Sequence, residues 1–236
     1  RHMQAVALSA LLLTPAVAGA QEEVKVKSLA APDYFSSPAA ETGLGGDLWK
    51  GAAPDIMRDI VPKLAGAKPL SPAFAKLAHR ILATGANGPA GVGNDPEMGA
   101  ARALALIALG DAAGADAMLD RAPGVADNAG LSLAAAEAAL IKGDDDRACG
   151  IGEALTVDRG AGYWLRLRAF CQARAGEASA AQLTFQLAQQ QSKDADYGRL
   201  MTALLAGAGD PGAANLRNGI NYALSRRLGL DLRAAA

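Results

Sequence analysis

The sequence predicts an all-α chain, and three observations carry the prediction. Of 236 residues 51% are hydrophobic but only 4% aromatic. Much of that apolar share is alanine, the strongest helix former and one that lets helices approach closely. Strand-like runs of Val, Ile and Thr are nearly absent. Four Gly-acid pairs, Gly110-Asp111, Gly143-Asp144, Gly176-Glu177 and Gly209-Asp210, recur every 33 residues, each behind an apolar helical segment. A period of that size marks helical units that bury their apolar faces against each other.

Residues 1–20, "RHMQAVALSALLLTPAVAGA", run from a basic start through an apolar stretch to Ala18-Gly19-Ala20. That is the order of a secretory signal peptide. The apolar stretch is shorter than the ~20 residues a spanning helix needs. The other readings are an uncleaved anchor and a core helix. Removal of this segment leaves no transmembrane span, and no cysteine follows the cleavage point to carry a lipid.

Residues 21–45 mix charges, Ser, Pro and Gly without period and are expected to be a flexible leader, with Tyr34 and Phe35 exposed, the alternative being that this aromatic pair docks elsewhere on the chain. Residues 46–93 are expected to be an N-terminal helical segment. Asp47 caps "LWKGA", and Pro54 opens "PDIMRDIVPKLAG" with Ile56, Ile60, Val61 and Leu64 on one apolar face. Ser71-Pro72 caps and opens the next helix, with Phe74, Leu77, Ala78, Ile81 and Leu82 turned inward. The Gly-rich "TGANGPAGVGND" separates this segment from repeats over residues 94–236.

Within the repeats other columns keep the period. Twelve residues before each glycine stand Met98, Leu131, Trp164 and Tyr197, all large. Seven before it stand Ala103, Ala136, Ala169 and Thr202, all small. Large and small side chains at fixed places suit helices seated in their neighbours' gaps. After each bend a second helix is expected, the last being "AANLRNGINYAL" at 213–224. The pattern Gly-Asp-x-x-x-Ala at this period resembles the tetratricopeptide repeat over roughly residues 95–228. "RACGIGEAL" and "GYWLRLRAFCQARAGE" also resemble a group of secreted α-proteobacterial repeat proteins of unassigned function. The resemblance implies a right-handed superhelix of antiparallel helix pairs, an α-solenoid, preceded by a few N-terminal helices.

"GDDDRAC", Gly143 to Cys149, sets three carboxylates beside a thiol. In the repeat register Asp144 to Asp146 occupy the bend and first turn of a helix, where carboxylates cap free N–H groups and face the positive end of the dipole. A calcium loop needs alternating oxygen ligands and a late Glu, and this run supplies neither. In such an array Cys149 and Cys171 lie across neighbouring antiparallel helices. In an exported chain that favours a disulfide, the alternative being two buried free thiols.

Net charge is −1, so composition gives no electrostatic case for nucleic acid. His79 shares its helix side with Lys76 and Arg80, which reads as a solvated surface histidine. No nucleophile turn, metal set or cofactor motif accompanies it, so no catalytic residue, metal or cofactor is expected. The repeat resemblance implies partner recognition on the face lined by the first helix of each pair. Tyr163, Arg166, Phe170, Arg174 and Arg199 would stand there as anchors. The same places hold Leu104, Ile107, Leu133 and Leu140 earlier in the chain, with Glu137 the exception, a row that binds something or is covered by the helices of 46–84. The alternative is that these residues are inter-helix core. The apolar Leu228, Leu230 and Leu232 seek cover from further chain or from a partner.

The expectation is therefore a non-enzymatic scaffold or adaptor, secreted into a bacterial periplasm, that holds a protein or peptide partner of the cell envelope. The alternative is the helical accessory module of a peptidoglycan-processing enzyme of the lytic transglycosylase kind.

Overall fold

Short polar residues set the helix starts. Ser71, Asp95, Asp111, Asn128, Asp144, Asp194 and Asn218 each accept a backbone N–H from the first turn that follows. The structure, a computed structural model, describes residues 33–66, 71–207 and 210–235. Residues 1–20, expected to be a signal peptide, and the expected leader up to residue 32 lie outside them. Among the described residues there are ten α-helices and no strand. They are α1 Pro54–Gly66, α2 Pro72–Ala83, α3 Pro96–Ala108, α4 Ala112–Leu119 and α5 Ala129–Lys142. α6 Asp145–Ala154, α7 Gly162–Arg174, α8 Ala178–Gln191, α9 Ala195–Ala206 and α10 Gly219–Arg227 follow, with a short 3₁₀ turn Val125–Asp127 ahead of α5. No described helix is long and apolar enough to cross a membrane.

Gly110, Gly143 and Gly176 stand between α3 and α4, α5 and α6, and α7 and α8, with φ of 88°, 85° and 80°. That left-handed backbone suits glycine at a helix end. The small residues that follow, Ala115, Ala148 and Ala181, are fully buried, as are Ala103, Ala136 and Ala169. The fourth unit differs. Gly209 lies outside the described residues, α9 ends on left-handed Gly207, and the next described helix begins at Gly219. The helix expected at 213–224 is therefore α10, starting six residues later. It packs against α5, α7 and α9. Thr202, the fourth member of the small column, is exposed because no helix follows α9 as α8 follows α7.

Residues 33–45 correct the leader expectation. Phe35 is fully buried, edge-on to Trp49 at 5.5 Å between ring centroids. Tyr34 seats its ring on Gly99, where any Cβ would fall 2.6 Å from the ring. Arg102 of α3, fully buried, ties this segment down. Its guanidinium donates to the carbonyls of Leu82 at 2.8 Å, Tyr34 at 2.6 Å, Ser37 at 3.1 Å and Thr84 at 3.0 Å. Burial lowers its pKa to about 10, with Asp33 opposing, so it stays charged at neutral pH. Asp47 and "LWKGA" form turns rather than a helix.

The N-terminal helices turn differently from the expected faces. α1 buries Met57 and Val61 while Ile56 and Ile60 are exposed, and α2 buries Ala78, Leu82 and Ala83 while Phe74 and Leu77 are exposed. α1 lies along α3, and α3 also packs on α2, α4 and α5. His79 of α2 is not a free surface group: its Nε2 lies 2.7 Å from Asp111 Oδ2, the cap of α4. The C-terminal leucines find cover within the chain, Leu228 and Leu230 packing on the cluster of Leu140, Trp164, Leu167, Phe170 and Leu224.

Cys149 of α6 and Cys171 of α7 form a disulfide, with Cα atoms 5.7 Å apart. The loop of 22 residues it closes corresponds to about 3 kcal/mol in the chain-entropy model. Unfolded, unreduced protein should show no reactive thiol, and replacing both cysteines by Ala should lower unfolding free energy by about 3 kcal/mol in urea titrations. Arg102→Met should cost more. It strips four carbonyls of their donor, each buried unpaired group costing about 1–3 kcal/mol. A melting temperature lower by ~6 °C or more, followed by circular dichroism, is expected, and a drop under ~2 °C would contradict it.

Candidate functional site

The five expected anchors do not share one surface. Phe170 is fully buried in the core. Arg174 pairs with Asp146 beside the disulfide, at a cavity of about 320 Å³. Arg199 donates to the Ala213 carbonyl at 2.9 Å, holding the irregular segment ahead of α10. Tyr163 and Arg166 alone meet, in a pocket of about 250 Å³. Arg166 is itself engaged: it donates to Ser192 Oγ at 2.6 Å and the Ser192 carbonyl at 2.9 Å, and lies 3.5 Å from Asp194 and 5.6 Å from the centre of the Tyr197 ring.

The pocket is assembled from four helices. α3 contributes Leu104, α5 Leu133 and Glu137, α7 Tyr163 and Arg166, and the start of α10 closes it with Ile220 and Asn221. Sequence reading missed the α10 residues because it continued the repeat through them. The dipeptide Asn218-Gly219, a cap followed by a break, was the available signal. Gly219 is required there: a Cβ would lie 3.0 Å from the Leu140 Cβ and 3.1 Å from Glu137 Oε1.

Glu137 is the hinge of this arrangement. It is 8% exposed, accepts the Tyr163 hydroxyl at 2.8 Å on Oε1, and accepts the Gly219 N–H at 2.6 Å on Oε2. A carboxylate at that N–H favours the positive end of the α10 dipole. Burial raises the Glu137 pKa, the two hydrogen bonds partly offsetting it. Burial, and then the nearby carboxylate, push the Tyr163 phenol well up. With both oxygens occupied by donors of the chain, Glu137 is placed to hold α10 rather than to pass a proton to a ligand. The Asn221 amide oxygen and Arg166 Nε, both buried, have no hydrogen-bond partner among the described residues.

A wider cavity of about 760 Å³ shares Leu104 with the pocket. Its apolar walls include Pro62 and Ala65 of α1, Ala100 and Ala101 of α3, and Val157. Glu97, Asp127 and Asp158, all exposed, stand around it. Asp158 has φ of 49°, the one non-glycine residue with positive φ among those described, a conformation short polar side chains tolerate best. Together the two cavities make a groove across α3 and α5, with α1 on one side and α10 on the other.

Among the described residues no three His, Cys, Asp or Glu side chains gather as a metal set. The three carboxylates of "GDDDRAC" are structural: Asp144 caps α6, Asp145 pairs with Arg226 at 2.6 Å and Asp146 pairs with Arg174. Compared with protein-family models, with curated proteins and with solved structures, the chain matches none.

The raised Glu137 pKa predicts a pH dependence. The folded state binds its proton more tightly than the unfolded chain, so stability falls as pH rises from the ordinary carboxylate value through the raised folded value. Urea unfolding across that window should show wild type losing stability while Glu137→Gln stays flatter. Parallel profiles would contradict it.

Proposed function

We propose that the chain is a non-enzymatic scaffold or adaptor of the bacterial cell envelope, exported to the periplasm, which holds a protein or peptide partner in the groove over α3 and α5. In this reading the helices form a right-handed solenoid of antiparallel pairs related to tetratricopeptide repeats. The left-handed glycines between α3 and α4, α5 and α6, and α7 and α8 support that arrangement. The basic-apolar-small order of residues 1–20 and the Cys149–Cys171 bond support export.

The observation that carries the binding role is the groove itself. Leu104 and Leu133 remain only partly buried on its floor although α1 and α10 cover the helices on either side. The wider cavity, about 760 Å³ with apolar walls and an acidic rim, lies within the ~300–1,000 Å³ range of ligand cavities. Covering what these two leucines still expose contributes a fraction of the about 1.5–3 kcal/mol that full burial of such a side chain gives.

A photoreactive residue at position 104, introduced in cells, should crosslink a defined envelope protein, whereas one at exposed Leu183 of α8 should not. Leu133→Glu should reduce that crosslink about ten-fold or more. Equal capture at positions 104 and 183 would contradict the reading, and so would release of soluble fragments from peptidoglycan by the purified chain.

A further inference from the structure

The groove's lining specifies the charge of what it takes. Resting on the adaptor reading, we infer that the partner presents a cationic peptide segment, with apolar side chains entering between Leu104 and Leu133 and Lys or Arg groups meeting Glu97, Asp127 and Asp158.

The arginines expected from the sequence as anchors are committed within the fold. Arg174 is paired with Asp146, Arg199 is held by the Ala213 carbonyl, and Arg166 is engaged by Ser192 and Asp194. What faces the wider cavity instead is three exposed carboxylates, and no described Lys or Arg lines it. None of the three belongs to an ion pair among the described residues. The N-termini of α3 and α5 open toward the same cavity and carry the opposing sign. Each contributes about half a positive charge, so the two leave the balance strongly negative against three full charges. A negative cleft with apolar walls raises the local concentration of cations and speeds their encounter.

The narrower pocket adds an independent indication that the cation belongs to a peptide. Asn221, 1% exposed, keeps an amide oxygen with no donor, and Arg166 keeps Nε with no acceptor. Both residues line the pocket while these two atoms are shielded behind its wall, one unpaired acceptor and one unpaired donor, complementary in kind to the one N–H and one C=O of a peptide unit that displaces the wall. A simple diamine would satisfy the oxygen and leave Nε orphaned, at the usual cost of a buried unpaired group.

The test uses the full chain and three labelled model peptides of equal length and equal Leu spacing, whose polar positions carry Lys, Glu or Ser. Fluorescence anisotropy should give the Lys peptide about ten-fold tighter binding than the Ser peptide and weaker binding as salt rises. The surface double variant Glu97→Lys with Asp158→Lys should cut Lys-peptide affinity about ten-fold or more, and Leu133→Glu should abolish it. Tighter binding of the Glu or Ser peptide that is lost in Leu133→Glu would overturn the cationic assignment and leave the groove standing. Binding indifferent to Leu133→Glu would remove the groove itself. Self-association of the chain that Leu133→Glu abolishes would assign the groove to a second copy and overturn the cationic partner, as would failure of all three peptides to bind.

Discussion

A single buried cation organises the N-terminal half of this protein. Moving a guanidinium out of water costs many kcal/mol unless its donors are met, and here four carbonyls from two separate stretches of chain meet them. Lysine has no equivalent, because its donors sit on one point whereas the guanidinium spreads its N–H groups in a plane. By holding residues 34–37 and the end of α2 to α3, Arg102 fixes the Phe35–Trp49 cluster on which α1 rests. α1 in turn supplies Pro62 and Ala65 to the groove wall, so the shape of the candidate site traces back to that guanidinium.

The all-helical class was legible in the alanine content and the glycine period, because propensity and bend geometry are local properties that neighbours do not overrule. The bends at Gly110, Gly143 and Gly176 are of this kind, as is the capping by Asp144. Phe35 was not legible. A Pro- and Ser-rich stretch reads as leader whether or not a distant guanidinium captures its carbonyls. The outward turn of Ile56, Ile60, Phe74 and Leu77 was hidden for a related reason. An amphipathic pattern defines an apolar face on a helix, but which part of it is covered depends on the angle at which another helix arrives.

The arginines show how far a surface reading from sequence departs from the assembled molecule. Arg147 bonds Asp116 at 3.0 Å and also reaches Asp120, with Lys142 on the same Asp116. Arg226 takes Asp145 across 81 residues of chain. These pairs join α4, α5, α6 and α10, and most are partly screened, so each contributes modestly and together they fix how the helices are oriented. The apparent excess of acid in "GDDDRAC" is the other half of these contacts. Sequence adjacency made it look like one cluster, whereas two of its carboxylates point to different helices.

The departure at the C-terminal end explains why a groove exists at all. Had the chain continued after α9 as it does after α7, a helix would lie beside α8 and Leu183 and Leu187 would have a neighbour to cover them. They are instead 60% and 46% exposed. The irregular segment after α9, fastened by Arg199 and by Asn215 on Asp196 at 2.7 Å, delivers α10 to α5 and α7. There α10 fills part of the helix face, buries Ile220, Ala223 and Leu224, and stops with Asn218 and Asn221 at the pocket's edge. The open floor over Leu104 and Leu133 is what remains between two intrusions. Its charge is set by the rim of Glu97, Asp127 and Asp158 because the cations on the neighbouring helices are already used in holding those intrusions in place.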